Sequence, residues 1–404
     1  MQDAAAGEAS ESSRPPSSRT LHNTAIVLAA RVASRLIALF TVLAMGNHLG
    51  PYRLGEFQTL VNWTAVVTVL IDLGFNTLYV REGARNPGEL SRYLSNLGTT
   101  RLFMAPLALA ALAVALLTSH LEELLLPGFV LMLLASYSSL LRGTFYALGR
   151  LTWEVVSIVL EAVLLLALTL LGIKLGKGVP WFLWSYAASY GFSCLLIGAV
   201  LVQKRMARPR PRFEWELVRS FFWTGLPFAL TFVITTIYFK IDVPILQLLK
   251  GNTEVGWYAF AYKPFEALLF VPITMLNVIF PILSVYHRER PDRVSWGIDR
   301  FYKALALVGL PISVGVVILA PGFSRLFHLF KESEPALAIL GVGIFGMFVN
   351  NAFIAALNSI DRQAQFTWAA AGSMVVNVAL NLALIPAYGY LGSAWATVAT
   401  EYFL

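Results

Sequence analysis

Charged side chains inside long apolar stretches are the residues best placed to do chemistry here, because each is expensive in hydrocarbon and normally faces protein or a wet cavity. Arg31 and Arg35 are spaced i and i+4, so both guanidinium groups leave one helix face. Two such forks on one stripe can grip a phosphate or pyrophosphate through paired charge-assisted hydrogen bonds; the alternative is that both snorkel to headgroups. Lys240 and Asp242 are two apart, on different faces, and each must find a partner or water elsewhere. Pro244 soon after them is expected to free a backbone carbonyl and kink the helix, a feature tolerated beside a cavity. An interfacial anchor is the other reading of this pair. Lys263 and Glu266, spaced i and i+3 around Pro264, can neutralise one another; otherwise Lys263 is a phosphate contact on a cavity wall. Glu161 is a lone carboxylate in an apolar run and a candidate proton site. Asp72 is expected to pair with Arg35 or a similar group, and Glu154 to sit at the interface. Asn350, Asn351, Asn358, Asn377 and Asn381 offer donors and acceptors that suit sugar hydroxyls or, equally, interhelical hydrogen bonds.

These groups must be held by helices in a bilayer. Of 404 residues, 57% are apolar and 13% charged, where soluble domains run near half and about a quarter. Apolar runs place spans at about 23–46, 56–80, 98–118, 123–147, 152–173, 181–202, 221–248, 255–285, 301–322, 336–358 and 365–387. A twelfth starts near Leu391 with too few residues to cross a core of about 30 Å, which points to a C-terminally truncated copy or a natural end beyond this sequence. The predicted fold is all-α and polytopic, with two six-helix bundles related by pseudo-twofold symmetry. The predicted parts are a disordered cytoplasmic tail (1–22), an N-terminal bundle (23–203), a basic cytoplasmic linker (204–220) and an incomplete C-terminal bundle (221–404). The polar, serine-rich start has no apolar core and cannot act as a cleavable signal peptide.

With the tail inside, connections on that side carry 19 Lys and Arg, Arg101 and Arg142 among them, against 6 outside. Five more lie in spans: Arg31, Arg35, Lys240, Lys263 and Lys303. Such asymmetry is what the positive-inside rule expects, and it predicts a cytoplasmic N-terminus. The single cysteine, Cys194, rules out a disulfide framework. No phosphate-binding glycine loop, metalloprotease, nucleophile-elbow or Cys/His metal spacing appears, and all five histidines fall at or near predicted loops, so no enzyme, metal or cofactor is expected.

The two halves echo each other. LGPYRLGEF (Leu49 to Phe57) aligns with KGNTEVGWY (Lys250 to Tyr258) at a constant offset of 201, matching Gly50 to Gly251 and Gly55 to Gly256. The first glycine of each pair predicts a positive-φ turn, and the second lets the next helix start close by. Duplicated membrane bundles are frequent among transporters, whose site lies between the halves near mid-membrane.

MGNHLGPYRLGEFQTL with LIDLGFNTLYVRE (Met45 to Glu82), YFKIDVPIL (Tyr238 to Leu246), VGWYAFAYKPFEALLFVP (Val255 to Pro272), FPILS (Phe280 to Ser284) and NLALIPAYGYLGSAWAT (Asn381 to Thr397) carry a resemblance. Together they resemble the polysaccharide transport family, the oligosaccharide flippases of the multidrug/oligosaccharidyl-lipid/polysaccharide exporter superfamily. The resemblance implies a V-shaped pair of bundles that open alternately, carrying a polyprenyl-pyrophosphate-linked oligosaccharide from the cytoplasmic to the outer leaflet of the cell membrane for surface polysaccharide synthesis. Arg35, preceded by Ser34, is similar to the Ser-Arg of related lipid flippases. The expected partners are the lipid-linked oligosaccharide and the bilayer, with glycan polymerisation or assembly proteins as candidates; a monomer and no nucleic acid are expected. The site residues expected for the pyrophosphate are Arg31, Arg35, Lys240 and Lys263, with Asp72, Glu161, Asp242 and Glu266 as coupling or ion-pair groups. A multidrug or cation antiporter of the same superfamily is the alternative, although its first helix would want an acid where this one has two arginines. A glycolipid polymerase would want a sizeable catalytic outer loop, and the longest here is Gly322 to Pro335.

Overall fold

The computed structural model describes residues 18–325, 330–360 and 362–404. The predicted tail up to residue 17 and His328 lie outside them; residues 18–22 already belong to the first helix. Among the described residues regular structure is entirely helical. The long helices are α1 (Ser18–Asp72), α2 (Phe75–Arg85), α3 (Leu90–Thr118), α4 (Leu125–Ala147), α5 (Leu151–Lys174) and α6 (Val179–Gln203) in the first half. The second half holds α7 (Trp215–Lys240), α8 (Asp242–Lys250), α9 (Asn252–Leu268), α10 (Phe270–Glu289), α11 (Val294–Leu319), α12 (Ser333–Ser359), α13 (Gln363–Tyr388) and α14 (Tyr390–Phe403). Ten helical stretches among the described residues are long and apolar enough to cross a membrane. The first, Ala29–Asp72, has 44 residues, about 66 Å at helical rise against a core of about 30 Å, so it accounts for two spans. The sequence-predicted eleven spans are therefore present, and α14 occupies the position of the twelfth.

Local chemistry explains where helices break. At Gly50 the backbone adopts φ 75°, ψ 172°, and at Gly251 φ 86°, ψ 179°, both accessible to glycine alone without strain. The predicted turn glycines are thus confirmed. Proline sets two further breaks by removing the bond to the carbonyl four residues back: α7 ends at Lys240, four before Pro244, and α9 ends at Leu268, four before Pro272. The expected kink at Pro244 is real and falls at Ile241, which puts Lys240 and Asp242 at the two lips of a broken helix.

Each half has its own core, built on Leu60, Leu112 and Phe182 in the first and on Leu246, Leu340 and Phe348 in the second. Side chains such as Leu195 and Leu307 remain 77% and 76% exposed, as they do where lipid replaces water. The halves touch at the reversed hairpins through a reciprocal contact. An added Cβ on Gly55 would lie 1.7 Å from the Asn252 carbonyl oxygen, and one on Gly256 would lie 1.9 Å from that of Pro51. Pro51 and Asn252 are themselves related by the same offset of 201, so the contact maps onto itself under the twofold. The second glycines thus serve the approach of the two halves, which the local-turn reading did not anticipate. A further contact brings Gly74, at φ 69°, against the backbone of Ala229.

The linker is shorter than predicted: residues 215–220 are already the first turns of α7, leaving 204–214 between helices.

Candidate functional site

Between those two contacts lies a cavity of about 570 Å³ walled by α1, α2, α4 and α7. Thr68, Asn76, Ser136, Ser139, Thr235 and Thr236 give it a hydroxyl and amide lining, with Asp72 and Lys240 as its charged groups. Lys240 also lines an adjoining small pocket with Gln58, Asn62, Asp242, Lys263 and Glu266.

The acids and bases resolve into defined clusters. Lys240 Nζ donates to Glu266 Oε1 at 2.9 Å, and Lys263 Nζ donates to Glu266 Oε2 at 2.8 Å. The predicted i,i+3 pair therefore exists and carries a second lysine. Asp242 accepts from the Val243 N–H at 2.8 Å and from the Tyr258 hydroxyl at 2.5 Å, so its partners are neutral donors.

Inside the first bundle Asp72, Glu154 and Glu161 each have an arginine partner. Asp72 pairs with Arg101, not with Arg35; Arg101 also donates to the Ser136 carbonyl and, at 3.3 Å, to Asn76. Arg101 is fully buried, so its place among inside-loop cations is corrected: the helix begins at Leu90, eight residues before its predicted start. Glu161 is not lone, because Arg142 reaches it from α4 and also bonds Ser193 Oγ at 2.9 Å. Glu154, in the first turn of α5, is buried and takes Arg31 at 2.9 Å and the Tyr146 hydroxyl at 2.8 Å. Arg35 is left over: exposed, within electrostatic reach of Tyr190, and in no ion pair among the described residues. Arg31 and Arg35 are therefore differently engaged, the first by Glu154 and the second by no acid among the described residues. Lys303 is an exposed i,i+4 partner of Asp299 and stands apart. Removing Arg101 and Arg142 from the inside set leaves its excess over the outside set intact.

The asparagines divide. Asn350 and Asn351 line a separate cavity of about 260 Å³. Asn377 and Asn381 are buried between α13 and α14, where Asn377 reaches Thr400 Oγ1 at 3.4 Å and Asn381 donates to the Asn377 carbonyl at 2.9 Å. Asn377 thus makes an interhelical bond, while both bonds of Asn381 stay within α13.

One carboxylate escaped the sequence reading. Glu401 on α14 is buried on the 260 Å³ cavity and accepts from the Tyr238 hydroxyl at 3.0 Å and from Asn350 Nδ2 at 3.1 Å. It was overlooked because α14 was read as a span start only, and a helical register from Leu391 would have turned Glu401 toward α12.

Residues 20–287 match the family model described as polysaccharide biosynthesis protein, and residues 191–404 match that of the lipid II flippase MurJ. A membrane protein of Methanocaldococcus jannaschii is 21% identical over 211 residues, half of this chain and 42% of its own length; the chain thus spans less than half of that relative. Among solved structures, an inward-closed lipid II flippase MurJ superposes with a TM-score of 0.73 at 15% identity, covering 93% of this chain and 85% of its own. An inward-facing multidrug resistance MATE family transporter of the MOP superfamily gives 0.72 at 16% identity, covering 91% of each chain.

Proposed function

The chain belongs to the polysaccharide biosynthesis protein family, whose structural neighbours are MOP-superfamily transporters, and from that premise we propose that it moves a polyprenyl-pyrophosphate-linked oligosaccharide from the cytoplasmic to the outer leaflet. The observation that carries the reading is a pair of lysines held by one carboxylate at the gap between the bundles. Lys240 and Lys263 share the single carboxylate of Glu266, and on the first bundle Arg35 is in no ion pair among the described residues. A cation held by one shared partner keeps hydrogen-bonding capacity for a phosphate, since an ammonium has three donors. The hydroxyl wall offers the same to the first sugars, while the polyprenyl tail stays in lipid between the bundles.

The reciprocal glycine contact closes one end of the gap. With the N-terminus cytoplasmic that end is the outer one, and the Gly74–Ala229 contact stands on the other side of the cavity, so the described state has both contacts made. Loading from inside requires the Gly74 contact to part, and release outward requires the reciprocal glycine contact to part. A membrane potential contributes about 2.3 kcal/mol per charge per 100 mV, which favours export of uncompensated pyrophosphate from an inside-negative cell.

Asp242 adds a route for proton coupling. Lys240, Lys263, Glu266 and Asp242 sum to zero when Asp242 is ionised and to one positive charge when it is protonated, with Tyr258 and Tyr262 as the other titratable groups facing them. Anion binding then draws a proton onto Asp242.

A second reading, export of a cationic amphiphile, draws on Glu401, a buried carboxylate held by neutral donors in a mainly apolar cavity. Proteoliposomes loaded with a fluorescent polyprenyl-pyrophosphate disaccharide separate the two. Protein-dependent movement between leaflets that K240Q/K263Q abolishes and E401Q spares supports the glycolipid. Movement of a lipophilic cation that only E401Q abolishes supports the antiporter.

A further inference from the structure

The segment joining the bundles is bolted to the first one by its backbone. Residues 207–214 run without helix along α3, and alternate N–H groups donate to its polar stripe. Arg208 donates to Ser91 Oγ at 3.0 Å, Arg210 to Ser95 Oγ at 2.9 Å, Arg212 to Thr99 Oγ1 at 3.2 Å and Glu214 to Asn96 Oδ1 at 2.5 Å. Ser91, Ser95 and Thr99 are spaced i, i+4, i+8 and so form one row. Pro209 and Pro211 occupy the intervening positions, where an N–H would have no acceptor on that row. The Arg-Pro-Arg-Pro-Arg pattern is thus a backbone address for α3, which leaves the side chains of Arg208 and Arg210 for another task.

Those side chains are exposed and short of acids. Glu214, the carboxylate nearest the strap, is taken by Arg92 at 2.6 Å, by Arg212 at 2.6 Å and by Asn96. Lys204, Arg205, Arg208 and Arg210 are exposed and in no ion pair among the described residues. Beside them Phe213 packs edge-on against Phe103 with centroids 5.2 Å apart, and Trp215 follows at 6.4 Å, all three exposed. Aromatic rings of this kind sit at headgroup depth. A fixed row of cations beside them meets the bilayer surface with little chain entropy left to lose.

We propose that this strap is a docking site for anionic phospholipid headgroups, Arg208 and Arg210 being its central contacts and Lys204 and Arg205 its flank. Charge complementarity selects the occupant: the cytoplasmic leaflet is the anionic surface such a row meets, given the orientation argued above. Docked lipid holds the first bundle and the linker to the membrane plane while the second bundle moves.

The test uses the whole protein in nanodiscs of phosphatidylcholine doped with phosphatidylglycerol, with retained lipids counted by native mass spectrometry. R208Q/R210Q should lower the preference for phosphatidylglycerol about five-fold per charge removed, about 25-fold in all. R208K/R210K, which keeps the charge, should retain the preference. Equal thermal midpoints of the parent and both variants in pure phosphatidylcholine show that each is folded. An unchanged preference in R208Q/R210Q overturns the proposal, as does its loss in a folded R208K/R210K. Loss of glycolipid transport in R208Q/R210Q with unchanged phosphatidylglycerol preference also overturns it, assigning the row to substrate capture instead. Because lipid retention needs no transport, failure here leaves the flippase reading standing, and the reverse holds.

Discussion

Replacing either Gly55 or Gly256 with alanine should prop open the closed end of the gap. The new methyl would sit 1.7 Å from the Asn252 carbonyl oxygen in G55A and 1.9 Å from that of Pro51 in G256A, where ordinary contact begins near 3.4 Å. Both obstacles are backbone within helical hairpins, so no side chain can swing aside and the bundles must part by about 1.5 Å. Overpacking of this kind costs about 1–3 kcal/mol. That cost falls on the state in which the hairpins touch and vanishes once they separate. The closed-to-open ratio should therefore fall about 5- to 150-fold. Because one parting relieves both clashes, the double variant should shift little further than either single one, a coupling opposite to that of independent sites. Spin labels at Lys174 and Lys331, on a background with Cys194 replaced by serine, read the separation of the two halves at this end. Distance distributions identical to the parent in both folded single variants would refute the reasoning, as would a strictly additive double variant.

The Asp72–Arg101 pair should show the asymmetry of buried charges: R101M leaves an uncompensated carboxylate and should lose about 3–5 kcal/mol, while D72L/R101M should recover most of it, as thermal unfolding in detergent can show. Arg92, with Asn96 and Arg212, holds the Glu214 carboxyl below its ordinary value of 4.5. Strap docking is therefore complete above pH 4.5 and should loosen as pH falls through the lowered value, seen as faster proteolysis between residues 204 and 214 at low pH in the parent and at every pH in E214Q. N377L should destabilise by about 1 kcal/mol, through loss of its hydrogen bonds to Thr400 and Asn381, without changing substrate affinity in a binding assay.

Span number, the duplicated halves and the turn glycines were all legible, because apolar length and positive-φ demands are local properties of a sequence. The break near Pro244 was legible for the same reason. Partner choice was not. Asp72 meets Arg101 across 29 residues and Arg31 meets Glu154 across 123, and no spacing rule encodes which helices adjoin. Arg101 was counted with the inner-side cations because it falls only three residues into the predicted span, whereas α3 begins at Leu90 and its polar first turns lack the apolar periodicity that marks a span. Their polarity has another use, as the acceptor row for the strap. Glu266 was read with one lysine because its second arrives from the broken end of α7. Of the four expected pyrophosphate contacts, Lys240 lines the central cavity, Lys263 adjoins it, Arg31 is engaged by Glu154, and Arg35 is exposed on the first bundle and in no ion pair among the described residues.

The shared-carboxylate lysines are the core of the account, and binding tests them most directly. Titration of polyprenyl pyrophosphate into the detergent-solubilised protein, by fluorescence or calorimetry, should give an affinity that falls about 10- to 150-fold in K240Q, the loss of one charge-assisted hydrogen bond of about 1.5–3 kcal/mol. The same titration with polyprenol, which lacks phosphate, should be indifferent to the substitution. Equal pyrophosphate affinity in the parent and in folded K240Q/K263Q would contradict the account.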